Sequence, residues 1–391
     1  KMRTILILCL IALCNQLSYA TQITLVPEGK LHLNSSNSGR NYNDLVLHSI
    51  LVSTNPGETL TVESLTIDLL SNGKVALSKF IPMERIVGET QGLAEMVAQG
   101  LEAFLNAQLL TEQGFSELLG RELEFSHSTT LQPDQVLLLT RQYFSLDFNP
   151  NELQVTVSGT NAAGKGEKLI AIAEIERYSS AISYTTPLNG AWFMTSLPSI
   201  QSHHRLNPPT EFSVDFFSVN EDGAIYEGDV LDATGFFGYG AEVLAAADGE
   251  MVFVIDDEIQ DRAAYFPKAN ETPAQTAMRV NDHNMRRYAA DFGRAAAGNL
   301  VTIRHQQDGK IEYSAYGHLK SGSVNVSVGD LVERGQKIAE VGDTGDSAAV
   351  HLHFQVNAGA NVFASKSLPV TFSDLEPVLS GVDPGRFVRD K

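Results

Sequence analysis

The chain has 391 residues, 43% of them hydrophobic, and a formal charge of −19. That length exceeds the usual single domain, so two domains with separate cores are expected. The negative charge argues against a nucleic-acid partner held through phosphate contacts. Both cysteines, Cys9 and Cys14, lie close to the N-terminus, so neither a disulfide framework nor thiol chemistry is expected beyond them.

At the N-terminus, Lys1 and Arg3 precede the apolar run Ile5 to Leu13, and Leu17-Ser18-Tyr19-Ala20 follows with small residues at the −3 and −1 positions of a cut after Ala20. This pattern reads as a secretory signal peptide over residues 1–20. Leu13 is bulky where a lipid-attachment signal before Cys14 needs a small residue. No other segment approaches the ~18 apolar residues of a membrane span. The expected product is an exported chain without stable membrane insertion.

Residues 21–178 read mostly as strands. Leu60, Val62, Leu65, Ile67 and Leu69 are spaced for a half-buried strand, Asn72-Gly73 is a hairpin turn, and Val75, Leu77 and Phe80 resume beyond it. A second hairpin runs from Leu153–Val157 through Asn161–Gly166 to Ile170–Ile175. Together these predict a β-sandwich-like N-terminal domain. Leu93, Met96, Val97, Leu101, Phe104 and Leu105 recur at helical spacing, and Thr111 can cap a second short helix ending near Gly120. A helical insert is therefore expected over about 90–120. His32, His48 and His127 are scattered and read as ordinary surface or core residues.

The segment 179–200, with Pro187-Leu188-Asn189-Gly190 and Ser196-Leu197-Pro198-Ser199, reads as an inter-domain connection. Residues 201–391 are again β-rich. Val243–Val252 reads as strand, Asp248-Gly249 turn, strand. Gly298–His305 is expected to pair with Tyr313–Leu319 across Asp308-Gly309, and Gly329–Gly342 forms short strands joined by glycine turns. Between Asp256 and Ala297 lies a long polar insertion with little periodicity, of the kind that borders functional sites.

Histidines crowd this second half: His203, His204, His318, His351 and His353. In Val350-His351-Leu352-His353-Phe354 the two imidazoles project from one face of a strand, about 6–7 Å apart. That spacing suits a divided task, one histidine binding a metal and its neighbour handling a proton. His283 and His305 read as structural or surface residues. Asn299 and Tyr316 are weaker candidates for binding substrate or bracing a site.

The ordered series His204-Arg205, Val214-Asp215-Phe216, Ala246-Ala247-Asp248-Gly249, Tyr316-Gly317-His318-Leu319, Gly329-Asp330 through Val341-Gly342, and His351-Leu352-His353-Phe354 resembles the lysostaphin/LytM-type zinc metallopeptidases that cut peptide bridges of bacterial peptidoglycan. The resemblance covers roughly residues 190–359. It implies a mainly β, antiparallel lysostaphin/LytM-type domain related to lipoyl/biotinyl hybrid folds. It makes Asp215 and His353 zinc ligands with an upstream histidine as the third. Many members place that ligand four residues before the aspartate, where this chain has Glu211. Others use a histidine across a longer loop, which favours His204, with His203 as its alternative and Glu211 still open. The resemblance assigns His351 as the base for a water activated by Zn2+, and His318 as its assistant or as an oxyanion donor.

The expectation is a zinc metalloendopeptidase acting on peptidoglycan stem peptides or cross-bridges, in the periplasm or secreted. Two alternatives stay open: a non-catalytic LytM-like module that binds cell wall or activates a hydrolase, and a secreted protease of glycine-rich proteins. A carrier domain is disfavoured because the corresponding hairpin tip, Glu333-Arg334-Gly335-Gln336, lacks lysine. The N-terminal domain can block the groove or serve for docking.

Overall fold

The structure, a computed structural model, describes residues 21–36, 42–195, 202–375 and 386–388. The signal-peptide reading of 1–20 lies outside the described residues. The molecule is mainly β. In the N-terminal half one sheet orders Gln22–Val26, Tyr42–Ser53, Gln135–Leu146 and Glu124–Phe125. A second orders Lys30–His32, Gly166–Glu176, Glu152–Asn161, Leu60–Ser71 and Lys74–Ile81. Both hairpins expected from the alternation are present, with Leu69 opposite Leu77 and Val157 opposite Leu169. Leu65, Ile67, Leu69, Leu153, Val155 and Val157 pack from the second sheet against Leu45, Leu47, Ile50 and Leu139 of the first. This pairs the inner faces of two sheets, the expected sandwich.

The strand Tyr42–Ser53 is buried on both faces because both are covered, with Asp44, His48 and Ser49 among its buried residues. Its other side, with Leu51, meets Val136, Leu138 and the helical layer through Leu105, Leu109 and Phe115. That layer has one helix more than the two expected. It is three helices: α1 (Met83–Ala98), α2 (Glu102–Leu109) and α3 (Gly114–Leu119). Gly100, at φ +81°, separates α1 from α2 in a conformation that side chains disfavour. Thr111 does not cap α3. The Glu117 carboxylate instead accepts the backbone N–H groups of Glu112 and Gln113 at 2.6 and 2.9 Å.

The second half is built on one sheet, in the order Leu331–Val332, Gly249–Ile255, Asn299–Gln307, Lys310–Leu319, Leu352–Asn357, Val214–Phe217, Trp192–Thr195 and Arg386–Val388. The pair Glu242–Leu244 and Lys337–Glu340 packs over it. The hairpin across Asp308-Gly309 forms as expected. The stretch Val243–Val252 is not a hairpin, since its two strands join different sheets. Buried Ala245–Ala247 carry the chain across the core between them, and Asp248 caps the Arg334 N–H at 2.7 Å. Residues 179–195, read as a connection, are also built into this core: Ile182, Tyr184, Leu188, Trp192 and Met194 are buried in it.

The polar insertion contains α4 (Pro273–Ala290) and α5 (Phe292–Ala297). Thr272 and Gln275 form a reciprocal capping box with Pro273 in the first turn. Periodicity missed α4 because no residue of it is fully buried; cations anchor it instead. Arg279 reaches Glu271 and the Phe266 carbonyl, and Arg287 reaches Glu258 and Tyr265.

Candidate metal centre

The candidate site lies on the outer face of the second sheet, where the two-residue period separates core from chemistry. Along Leu352–Asn357, the side chains of Leu352, Phe354 and Val356 enter the core. His353 and Gln355 face the cleft, and His351, just before the strand, faces it too. Val214 and Phe216 likewise enter the core while Asp215 and Phe217 face the cleft. The antiparallel register sets Asp215 directly opposite His353, and Gly317 opposite His353 on the other side. His318 follows Gly317 at φ +60°, a left-handed conformation that is uncommon for a non-glycine residue and costs energy to hold. It turns the imidazole toward the cleft, where Nδ1 donates to the Thr344 carbonyl at 2.7 Å.

Asp215 is the centre of the cluster. Its Oδ2 lies 3.0 Å from His204 Nε2, and its Oδ1 lies 3.0 Å from His353 Nδ1 and 3.8 Å from His351 Nε2. His203 also converges: one of its ring nitrogens lies within 4.8 Å of ligand atoms of His204 and Asp215, but its side chain is exposed. The His318 ring centroid is 4.6 Å from that of His351 and 5.8 Å from that of His353. All the histidines singled out for chemistry therefore reach one cleft. Glu211 does not reach it. Its carboxylate is buried between Arg205 and His48, 2.6 Å from His48 Nε2, because the 203–211 segment turns it toward the N-terminal sandwich.

The partners of each ring define its tautomer. His351 Nδ1 donates to the Ala349 carbonyl at 2.9 Å, leaving an Nε2 lone pair facing the cluster. His318, bonded through Nδ1, likewise keeps Nε2 free. His353 Nε2 is held by Gln355 Oε1 at 2.8 Å, so Nδ1 is the atom turned to Asp215. Burial lowers the pKa of His204 to about 4, and lowers those of His351 and His318. Burial pushes Asp215 upward, but His204, His353 and His351 outweigh it and hold the carboxyl well below its usual range. For His353 burial pulls downward and Asp215 outweighs it, raising the pKa. The result is an ionised carboxylate that favours the proton on His353, beside three imidazoles, His204, His351 and His318, that burial holds neutral.

This donor set fits zinc: two imidazole nitrogens and one carboxylate, with the His353 ring held from behind by a hydrogen-bond acceptor. His204, Asp215 and His353 would hold the ion.

The cleft has a volume of about 490 Å³. Phe217 stacks on His351 with centroids 4.7 Å apart and planes 11° from parallel. Tyr288 of α4 and Phe292 of α5 wall one side with Phe363. Phe104 of α2 supports that wall, 5.0 Å from Tyr288 and 5.2 Å from Phe292. Sequence reasoning passed over Gln355 and Phe217, although each stands two residues from a named ligand on the same strand face. Asn299 and Tyr316 brace the fold: Asn299 bonds Glu258 and Leu319 backbone, and Tyr316 receives the Ala246 N–H. His305 is held between the Asp248 carbonyl and Ser314, a structural role.

Residues 274–365 match Peptidase family M23. No curated protein matches the chain. Among solved structures, the catalytic domain of lysostaphin from Staphylococcus simulans is 20% identical, covering 49% of this chain and 88% of that one at a TM-score of 0.23. A zinc-containing peptidase from Vibrio cholerae is 14% identical, covering 83% and 81% at 0.24. Csd3 from Helicobacter pylori is 13% identical, covering 87% and 74% at 0.23. The matched region holds His318, His351 and His353, and over it the chain is similar to peptidase family M23, consistent with the lysostaphin/LytM-type peptidases that its motifs resemble.

Proposed function

We propose that the chain is an exported zinc endopeptidase that hydrolyses peptide bonds of peptidoglycan stem peptides or cross-bridges. The observation that carries this reading is the convergence of His204, Asp215, His318, His351 and His353 on one cleft. Zinc, when bound, would polarise a carbonyl and lower the pKa of water.

The chain's own residues supply the rest. Asp215 remains ionised between His204 and His353, its two oxygens each 3.0 Å from a ring nitrogen of one of them. His351 Nε2, unprotonated and aimed into the cluster, takes the proton of the attacking water, and the Ala349 carbonyl stabilises the imidazolium through Nδ1–H. His318 Nε2 accepts a hydrogen bond from that water. Its ring is fixed by Thr344, so Nε2 stays on the water's second hydrogen as the tetrahedral intermediate forms, and the proton held by His351 then passes to the departing amine nitrogen. The aromatic walls exclude solvent from the reacting peptide. No helix among the described residues is long and apolar enough to cross a membrane.

The test is metal content with muropeptide release by the purified chain, run beside His353→Ala and His351→Ala. Zinc near one per chain and product release are expected. Both vanish in His353→Ala, whereas His351→Ala keeps zinc and loses about 10²–10⁴-fold in rate. Zinc without release from any muropeptide would favour a non-catalytic wall-binding module, and absence of zinc would overturn the reading.

A further inference from the structure

The segment that carries His204 has little scaffold of its own. Residues 203–210 form two short 3-10 turns, His203–Leu206 and Pro208–Thr210, whose hydrogen-bond geometry is poor compared with an α-helix or a sheet. Asp215 and His353, by contrast, are fixed by ladder pairing. The second turn is anchored to the sheet of the second half through the Pro209 carbonyl, which accepts from Asn357 at 2.8 Å, and the first, which carries His204, is held by side-chain contact with the N-terminal sandwich. Arg205, the neighbour of His204, is fully buried. Its guanidinium bonds Glu211 and, at 3.2 Å, the carbonyl of Asp44 on the strand Tyr42–Ser53. It also lies 5.0 Å from the centroid of the Phe212 ring. His48 of the same strand bonds the other Glu211 oxygen at 2.6 Å. Both ends of the 205–211 segment are thus tied to one N-terminal strand, Arg205 through the Asp44 carbonyl and Glu211 through His48, and to each other by a buried ion pair.

We propose that the N-terminal unit is a structural part of the metal centre: His48 and the Asp44 carbonyl are positioning groups that, through Glu211 and Arg205, hold His204 against Asp215. This rests on the zinc reading above and adds that the third ligand is held across the domain boundary. A carboxylate and a guanidinium sealed from solvent tolerate few alternative arrangements, because leaving either unpaired is costly. The pair therefore transmits the position of the strand to the loop.

The experiment is zinc affinity of the full chain, by competition with a chromophoric chelator, with the Co2+ ligand-field spectrum as a second readout. His48→Leu removes the donor to Glu211. His48→Gln restores one, since its amide nitrogen reaches the place of the ring Nε2. Loss of affinity by about tenfold or more is expected in His48→Leu, with an altered Co2+ spectrum, and recovery to within about threefold in His48→Gln. In a His204→Ala background, His48→Leu should then have no further effect. Unchanged affinity in His48→Leu would overturn the proposal, as would an equal loss in the His204→Ala background, which would mark a general destabilisation. Should His48→Leu not fold, Arg205→Lys takes its place with the same expectations, as it keeps the charge facing Glu211 but gives up the planar fork that also reaches Asp44. A wild-type chain that binds no zinc would overturn the zinc reading and this proposal together, whereas tight wild-type binding unaffected by these variants sinks this proposal alone.

Discussion

Replacing Gln355 by leucine tests the orientation of the metal centre from behind. Gln355 is 4% exposed, and its Oε1 accepts from His353 Nε2 at 2.8 Å. Its amide nitrogen donates to Asn357 Oδ1 at 2.7 Å and the Val362 carbonyl at 3.0 Å, with a longer contact to the Pro209 carbonyl. Leucine fills a similar volume and supplies none of these. With no acceptor behind it, His353 gains from placing its proton on Nδ1 and donating to Asp215, which caps the lone pair a metal needs. Loss of such a supporting partner costs about 10–100-fold in metal affinity, or about 1.4–2.7 kcal/mol. The metal-free protein should lose about 1–3 kcal/mol as well, from the orphaned Val362 carbonyl and Asn357. The Pro209 carbonyl keeps its bond from Asn357 at 2.8 Å.

Chemical unfolding with and without excess zinc separates these effects, because zinc adds a stabilisation set by its concentration relative to Kd. The zinc-dependent increment should shrink by about 1.4–2.7 kcal/mol in Gln355→Leu, apart from any fall in the baseline. An increment equal to that of the wild type, in a variant that folds cooperatively, would refute the assignment of His353 Nδ1 as a ligand braced by Gln355.

Of the two adjacent histidines, His204→Ala should lose at least about tenfold in zinc affinity and His203→Ala less than about threefold; a zinc titration showing the reverse order would exchange their roles. Gly298, at φ +63°, faces the Thr344 backbone, and an added Cβ would stand 2.3 Å from its carbonyl carbon. Gly298→Ala should cost at least about 2 kcal/mol of stability and disturb His318, which is held by that same carbonyl; a melting temperature within a degree of wild type would contradict the close approach. His32 is buried, and burial lowers its pKa to about 3. The unfolded chain therefore takes up a proton near pH 6.5 that the folded one resists. The contribution is intact above pH 6.5 and is lost as pH falls toward 3, with a slope of at most about 1.4 kcal/mol per pH unit. Urea titrations of His32→Leu over that range should show a flatter dependence than wild type, and an equal slope would assign the acid sensitivity elsewhere.

The two-residue alternation in Leu60–Leu69 and Leu153–Val157, with turn chemistry at Asn72-Gly73 and Asp308-Gly309, was enough to place the hairpins, because a half-buried strand writes its burial directly into its residue types. The pairing of His351 with His353 followed from the same period. The helix α4 was not legible, since arginine contacts to loop carbonyls and carboxylates hold it and leave no apolar stripe. The Asp248-Gly249 turn misled because a turn dipeptide specifies a local reversal and says nothing of which sheet each flanking strand joins. Residues 179–195 carried turn signals but supplied core residues, as Tyr184 and Trp192 show.

At the candidate metal centre, sequence alone determined the kinds of donor available and the shared strand face of His351 and His353, for these depend on residue chemistry and backbone period. It left His203, His204 and Glu211 open as the third ligand. Tertiary structure decided between Glu211 and the histidines: His48, 163 residues away in the chain, and Arg205 engage the Glu211 carboxylate and turn it from the cleft, while the antiparallel register brings Asp215 to His353 and the 3-10 turn brings His204 to both. A ligand on a loop without its own ladder takes its position from whatever packs against it, and that partner is set by the folding of distant segments rather than by any local pattern.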